Sequence, residues 1–388
     1  MFKVLTLNNI AVAGLRRLPR DRYEVASEMS NPDAIILRSY DMHDMTIPAS
    51  VAAIGRAGAG TNNIPVDAMS KRGVPVFNAP GANANAVKEL VIAGMFLAAR
   101  NICQAWDYAR KLQGSDEEID VAVEQGKKKY LGYELPGRTL GVIGLGAVGV
   151  EVANAAHSLG MRVMGFDPQI TVQRAWQLSS GVEQALSLDD LFSRCDMVTV
   201  HVPLLEATRG LVNASRLRLL KSNGVVLNFS RAAIVDERAV LEALDAGRLH
   251  AYICDFPTNA LKNHPKVVAL PHLGASTSEA EENCAAMVVD TLRDFLENGN
   301  IRHSVNFPEA VLPRTAGATR LAIANENVPN MVGQISTALA AANLNIADLL
   351  NKSRGELAYT LIDVDGSIPG AIPQQLRKIE GVLTARVL

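Results

Sequence analysis

Three glycines and an aspartate carry the clearest chemistry in this chain: Gly144, Gly146 and Gly149, with Asp167 beyond them. An apolar run, Thr139 to Ile143, leads into Gly144-Leu-Gly-Ala-Val-Gly149, and a helical segment follows. Such a glycine pattern also occurs in ordinary loops. The preceding strand, the following helix and the acid at the end of the next strand give it the layout of a dinucleotide-binding βαβ unit. Gly144 would let the chain turn, Gly146 would let the backbone approach a pyrophosphate, and Gly149 would let helix and strand pack closely. The phosphates would sit on the helix N-terminus, where unpaired N–H groups favour an anion. Leu145, Ala147 and Val148 complete the loop and are cofactor-binding candidates with the glycines. Asp167 suits a ribose 2′-hydroxyl and would repel a 2′-phosphate, so NAD is expected rather than NADP.

These residues need strands to position them. A series of six apolar strands starts at Leu140 and continues through Arg162–Phe166, Met197–Val200, Gly224–Phe229, Ala251–Asp255 and Val267–Ala269. An earlier series, Phe2–Leu7, Ala34–Leu37, Ala53–Arg56 and Val74–Phe77, alternates with polar helices or turns. Strands alternating with helices predict an α/β fold with parallel sheets. Between the two series, Gly114 to Gly137 is polar and charged, and reads as an excursion over the surface. A helix is expected over Glu279–Asn298, then a proline-containing linker through Pro308 and Pro313. The remainder spells strand Arg320–Asn325, helix Met331–Ala342, strands Ile346–Ser353 and Tyr359–Asp363, helix Ile372–Ile379 and strand Val382–Val387. That order, βαββαβ, is ferredoxin-like.

The chain has 388 residues, enough for two or three domains. Apolar residues make up 48%, charged residues 20%, and the net charge is −2, which argues against nucleic acid or an anionic membrane as the main partner. Cys103, Cys195, Cys254 and Cys284 form no CxxC pair, so reduced, mostly buried thiols are expected, with no metal site. No secretory leader is visible, and the longest apolar run, Leu90 to Ala99, is about half a bilayer span. The cytoplasm is the expected compartment.

Three further runs accompany the glycine loop: His201-Val-Pro-Leu204, Leu227-Asn-Phe-Ser-Arg-Ala-Ala-Ile-Val-Asp-Glu237 and Leu270-Pro-His-Leu-Gly-Ala-Ser-Thr277. Together they resemble the D-isomer-specific 2-hydroxyacid dehydrogenases. Gly58-Ala-Gly-Thr-Asn-Asn-Ile64, Asn78-Ala-Pro-Gly81 and the C-terminal module resemble most the members that oxidise D-3-phosphoglycerate. The resemblance implies a Rossmann-type NAD-binding domain over residues 99–277 and a discontinuous flavodoxin-like substrate domain over 1–98 and 278–313. It further implies an ACT regulatory module over 318–388, and an active site in the cleft between the first two. His201, Val202, Pro203, Thr208, Ser230, Asp255 and Gly274 are implied to line the cofactor. Arg38, Ser39, Gly58, Ala59, Gly60 and Asn78 are implied to meet the substrate, and Lys129 borders the cleft where it could meet a phosphate. Other members carry a second arginine near the position of Arg38; this chain has Tyr40 there.

Oxidising a 2-hydroxy acid requires a base for the hydroxyl proton and a cation for the carboxylate. His272 fits the base, since imidazole titrates near neutrality. Arg231 matches the family's arginine, whose planar fork can hold a carboxylate and polarise the reacting oxygen. Taken singly, His272 could cap a strand end and Arg231 could be a surface ion-pair residue. The family's third member, a glutamate partnering the histidine, is missing: Asn259 and Ala260 stand there. Asn259 is the expected substitute, orienting the ring through a neutral hydrogen bond. In the C-terminal module, Asn325, Asn327 and Asn345 match positions that hold L-serine at a subunit interface in serine-inhibited relatives, while Asn330 replaces a glycine. A module that only assembles subunits is the alternative. The resemblance implies a homodimer or homotetramer. The expected activity is NAD-dependent oxidation of D-3-phosphoglycerate to 3-phosphohydroxypyruvate; a glyoxylate or hydroxypyruvate reductase, or an NAD-sensing protein with reduced catalysis, are the alternatives.

Overall fold

The computed structural model describes all residues, 1–388. Its contacts divide the chain into two compact units, Met1–Asn83 with Ser278–Leu388, and Ala84–Thr277.

The first unit opens with a parallel sheet of β1 (Phe2–Leu7), β2 (Tyr23–Ala26), β3 (Ala34–Leu37), β4 (Ala53–Arg56) and β5 (Val76–Phe77). Their order, β2-β1-β3-β4-β5, is that of the flavodoxin-like doubly wound fold. All four residues of β3 are buried, as a central parallel strand requires. The long helix Ser278–Asn298 closes one face: Cys284, Ala285, Val288, Val289, Leu292, Phe295 and Leu296 recur at helical spacing and pack with Val4, Ile36 and Ala53. Strand β2 was not expected from the sequence. It lies at the sheet edge, where only Tyr23 is buried, so no apolar run marks it.

The second unit carries a seven-stranded parallel sheet: β6 (Thr139–Ile143), β7 (Arg162–Phe166), β8 (Val182–Gln184), β9 (Met197–Val200), β10 (Gly224–Asn228), β11 (Leu249–Cys254) and β12 (Val267–Ala269). The order β12-β11-β10-β9-β6-β7-β8 puts the doubly wound switch point between β6 and β9. Six strands were expected; the seventh, β8, is again a short edge strand with no buried residue. Helix Ala84–Arg100 belongs here, because Val87, Val91, Met95, Ala98 and Ala99 pack with Leu140, Val142, Leu227 and Ile253. The boundary between units therefore falls at residue 84, ahead of the expected 98. Within the polar stretch after Gly114, Asp116–Gly126 is a helix. Ser115 and Glu118 form a capping box, and three acids in the first turn complement the dipole.

The C-terminal module is an antiparallel sheet of β13 (Ala318–Glu326), β14 (Ile346–Arg354), β15 (Leu357–Asp365) and β16 (Val382–Val387), in the order β14-β15-β13-β16. This is the ferredoxin-like arrangement, with helices Met331–Ala341 and Ile372–Leu376 packed through Ile335, Leu339 and Leu376 on Leu321, Ile323, Ile362 and Val364. The other sheet face is also covered: Ala322, Ala324, Tyr359 and Leu361 join Phe295 and Phe307 in the core of the first unit. Arg320 pins this junction. Its Nε and Nη2 donate to Asp363 at 2.6 and 2.8 Å, and its remaining donors reach the carbonyls of Asn298, Leu312 and Pro313. All five guanidinium donors are engaged.

Candidate active site

The glycine loop lies at the carboxyl end of β6, a strand buried at every residue. Each glycine has a distinct reason to be one. Gly144 has φ +90°, and a Cβ there would stand 2.8 Å from both the His201 carbonyl oxygen and Val202 Cγ1. At Gly149 a Cβ would come within 1.8 Å of the Gly144 carbonyl oxygen, so the helix Ala147–Ser158 could not pack where it does. Gly146, the N-cap of that helix, has ordinary dihedrals and no heavy atom within 4 Å of its Cβ position. Nothing in the polypeptide requires glycine there. The open space beside it, at the N-terminus of that helix, fits a pyrophosphate. Asp167, just past β7, closes the loop: its Oδ2 accepts from Leu145 N at 2.9 Å and its Oδ1 from Gln169 N at 2.9 Å. Both oxygens keep acceptor capacity for a ribose diol.

The neighbouring strand ends continue the site. After β9, burial pushes the His201 imidazole down to about 3, so it is neutral at physiological pH. Its Nε2 lies 2.9 Å from Thr199 Oγ1. The Pro203–Thr208 loop is braced by Thr208, whose hydroxyl accepts from Leu205 N and donates to Pro203 O. After β10, Asn228 organises the turn that carries Arg231. This asparagine is fully buried; it donates to Arg231 O at 3.0 Å and accepts from Ser230 N at 3.1 Å, while Ser230 Oγ donates to Val200 O. Asn228 was not singled out in the sequence, although a polar residue ending an otherwise apolar strand was its signal. Arg231 is exposed, touches only Ser230 O, and makes no salt bridge. A surface ion-pair role is thereby removed.

His272, three residues past β12, has φ +58°. A left-handed histidine is uncommon, and such conformations persist where the surroundings impose them. Here Asp255 imposes it. That carboxylate is 1% exposed, and its two oxygens accept from the next two backbone groups, Leu273 N at 2.8 Å and Gly274 N at 2.7 Å. Asp255 was expected to face the cofactor; its oxygens are instead turned to the histidine loop. Asn259 makes no hydrogen bond to His272. The ring's neighbour is Phe256, edge-on with centroids 5.4 Å apart. The loop between them is tied back by Thr258, which donates to Glu237 Oε2 at 2.9 Å.

In the first unit, the substrate candidates gather at the carboxyl ends of β3, β4 and β5. Arg38 and Ser39 follow β3, Gly58 to Gly60 follow β4, and Asn78 follows β5. Asn78 Nδ2 donates to Ala59 O at 2.6 Å, and Ala79 N donates to Gly58 O, which fixes the glycine loop. Arg56 joins them, a residue the sequence reading passed over as a strand end. Its Nε donates to Arg38 O at 3.0 Å, and its guanidinium occupies the space a Cβ on Gly58 would need. Arg56 is thereby tied to the Arg38 main chain, while Arg38 Nη1 pairs with Glu281 Oε1 at 2.5 Å.

Two groups of expected contacts do not assemble within one chain. Lys129 lies in a short 3₁₀ turn, Lys127–Tyr130, and lines a cavity with His250 and Pro265. That cavity is lined by His250, Ala251, Ile253 and Val268, so Lys129 borders the body of β11 and β12 rather than the strand ends that carry Arg231 and His272. The three effector asparagines do not converge either. Asn325 is 1% exposed and bonded to Glu326 O and Thr360. Asn327 donates to Gly355 O beyond one end of β13, while Asn345 donates to Asp365, which pairs with Ala318 at the other end. Nine residues of strand separate them, roughly 27 Å. Asn330 does occupy the left-handed conformation that a glycine favours, with φ +61°.

Residues 92–274 match the family model described as D-isomer specific 2-hydroxyacid dehydrogenase, NAD binding domain. The D-3-phosphoglycerate dehydrogenase of Haemophilus influenzae is 34% identical over 347 residues, which are 87% of this chain and 81% of the relative. That of Archaeoglobus fulgidus is 37% identical over 300 residues, 74% of this chain, and the chain spans about half of that relative's length. Among solved structures, the NAD+-bound 3-phosphoglycerate dehydrogenase of Entamoeba histolytica aligns with a TM-score of 0.60 and 25% identity, over 79% of this chain and 98% of that one.

Proposed function

This chain belongs to the D-isomer-specific 2-hydroxyacid dehydrogenases, and we propose that it oxidises D-3-phosphoglycerate to 3-phosphohydroxypyruvate with NAD. The Gly144–Gly149 loop and Asp167 would hold NAD, which would supply the acceptor for the hydride on C2. His272 takes the proton of the C2 hydroxyl, so that the C2–O bond becomes a carbonyl. Arg231 holds the carboxylate and polarises the reacting oxygen. Arg38 and Arg56 recognise the phosphate, with Arg38 exchanging Glu281 for the substrate; two guanidiniums offer a dianion the charge and fork geometry it needs. The observation that carries the reading is Arg231: an arginine at the carboxyl end of a nucleotide sheet, held by a buried asparagine and left without any carboxylate partner.

The test offers NADH with phosphohydroxypyruvate, hydroxypyruvate and glyoxylate. The phosphorylated acid should have the highest kcat/KM, and Arg56→Ala should erode that preference about ten-fold or more while leaving turnover of glyoxylate unchanged. Equal rates for all three would make the chain a general 2-hydroxyacid reductase. NADH binding without turnover would favour an NAD sensor, the reading that the missing carboxylate at His272 supports. The same proposal reads the C-terminal module as an ACT-type regulatory module of a cytoplasmic homodimer or homotetramer. Only Asn327 and Asn345 are exposed enough to meet an amino acid such as L-serine, and they would have to come from two copies. No helix is long and apolar enough to cross a membrane.

A further inference from the structure

We propose that the junction between the flavodoxin-like sheet and the C-terminal module is a binding site for a small dianion, a phosphate monoester or a dicarboxylate, distinct from the substrate arginines. A cavity of about 190 Å³ opens there, lined by Arg72, Arg377, Arg386, Ser50, Thr384 and Tyr359. Three arginines and three hydroxyl residues line one small space with no aspartate or glutamate among them; the Ser50 and Tyr359 hydroxyls already donate to Pro32 O and Gly299 O, which leaves Thr384 as the hydroxyl donor. None of the three arginines forms a salt bridge, whereas Arg17, Arg38, Arg194 and Arg320 elsewhere in the chain each pair with an acid. Each is anchored by neutral groups: Arg72 by Ile47 O and Pro48 O, Arg377 by Ala385 O, and Arg386 by Phe295 O and the Tyr359 hydroxyl. Arg386 is also stacked on the Phe295 ring, 4.1 Å from its centroid. Every fork is thus oriented, while most of its donors are left for a ligand. Like charges held together without a counterion repel, and a bound dianion relieves that repulsion.

The site joins two modules. Arg72 comes from the turn before β5, whereas Arg377 and Arg386 come from the C-terminal helix and β16. From Arg72 the chain runs through Val74 and β5 directly to Asn78, the residue whose amide holds the Gly58–Gly60 loop. An anion gripped by both modules would therefore stiffen the strand that carries a substrate contact, which gives the C-terminal module a route to the substrate loop.

Calorimetry on the full chain, without substrate or turnover, tests this independently of the proposed reaction. Inorganic phosphate should give two binding events in chloride buffer. Arg56→Ala should remove one; Arg377→Gln, an exposed position, should weaken the other about ten-fold or more, and Thr384→Val less. Malonate in a parallel titration tells a dicarboxylate site from a phosphate site. Hydrogen exchange should slow in residues 73–78 and in β16 when phosphate binds. Titrations of Arg377→Gln and Thr384→Val that match the parent chain, or a single event abolished by Arg56→Ala, would overturn the proposal.

Discussion

Arg320 and Arg231 are the same side chain put to opposite uses. Arg320 is fully buried, gives all five donors to named acceptors, and ties the linker, the long helix and the C-terminal sheet together. Arg231 is exposed, donates to its neighbour's carbonyl, and has no acid partner. A structural charge is desolvated and saturated; a functional charge is oriented by its backbone and left with donors to spare. The contrast extends to carboxylates. Asp363 is consumed by Arg320 and Thr315, whereas Asp167 closes the glycine loop and retains acceptor capacity. The two regions should accordingly fail in different ways.

The largest effect is expected where stability is not at stake. His272→Ala or Arg231→Ala should lower kcat/KM about 10²- to 10⁴-fold, the ordinary contribution of a positioned acid–base or charge-stabilising group. Thermal unfolding should not move, since both side chains are exposed. A melting temperature that fell with the rate would put these residues on the Arg320 side of the comparison. Arg320→Ala should do the converse, costing about 3–5 kcal/mol by stranding a buried carboxylate. The paired change Arg320→Met with Asp363→Leu should recover much of that in chemical denaturation. Acid should act on the same pair. Burial pushes the Asp363 carboxyl up, but hydrogen bonds from Arg320 and Thr315 outweigh it and hold it below the ordinary carboxylate range. A depressed folded value means that its contribution is complete above about pH 4 and drains away as pH falls through that lower value. Stability curves of the parent and the double variant should converge in acid.

Asp255 tests the boundary between the two kinds of charge, being buried like Asp363 yet bonded to the loop that carries His272. Asp255→Asn keeps the shape but leaves Leu273 N or Gly274 N without its acceptor, a loss of about 1–3 kcal/mol. If the carboxylate positions His272, kcat should fall about ten-fold or more with little change in KM for NAD. A change confined to KM for NAD would return Asp255 to the cofactor role implied by the family resemblance.

Much of this was legible in the sequence because parallel strands buried on both faces are written as unbroken apolar runs. The four buried residues Ala34–Leu37 are such a run; the edge strands Tyr23–Ala26 and Val182–Gln184 are half wet and write nothing comparable. The helix Asp116–Gly126 was legible in principle, since Ser115 and Glu118 spell its capping box, but its charged composition masked it. In the candidate site, motif spacing singled out the glycine loop, Arg231 and His272. It could not show which way a polar side chain turns. Asp255 turns to the histidine loop, Asn325 turns into the sheet, and Arg56 emerges beside Arg38 only because β3 and β4 are neighbours. Lys129 could not be placed this way, because proximity in sequence to the nucleotide domain says nothing about which part of its strands a loop borders.

The smallest effect is expected at the glycines, where the same comparison can be made within six residues. Alanine at 149 would drive a methyl group into the Gly144 carbonyl oxygen, so Gly149→Ala should displace the helix, lower the melting temperature and weaken NAD together. Alanine at 146 meets no protein atom and needs no unusual backbone angle. Gly146→Ala should therefore unfold like the parent chain while raising KM for NAD about ten-fold, the cost of intruding on a closely approaching pyrophosphate. Unaltered NAD affinity in Gly146→Ala would mean that the dinucleotide does not lie against this loop. A lowered melting temperature would mean that the glycine serves the fold after all.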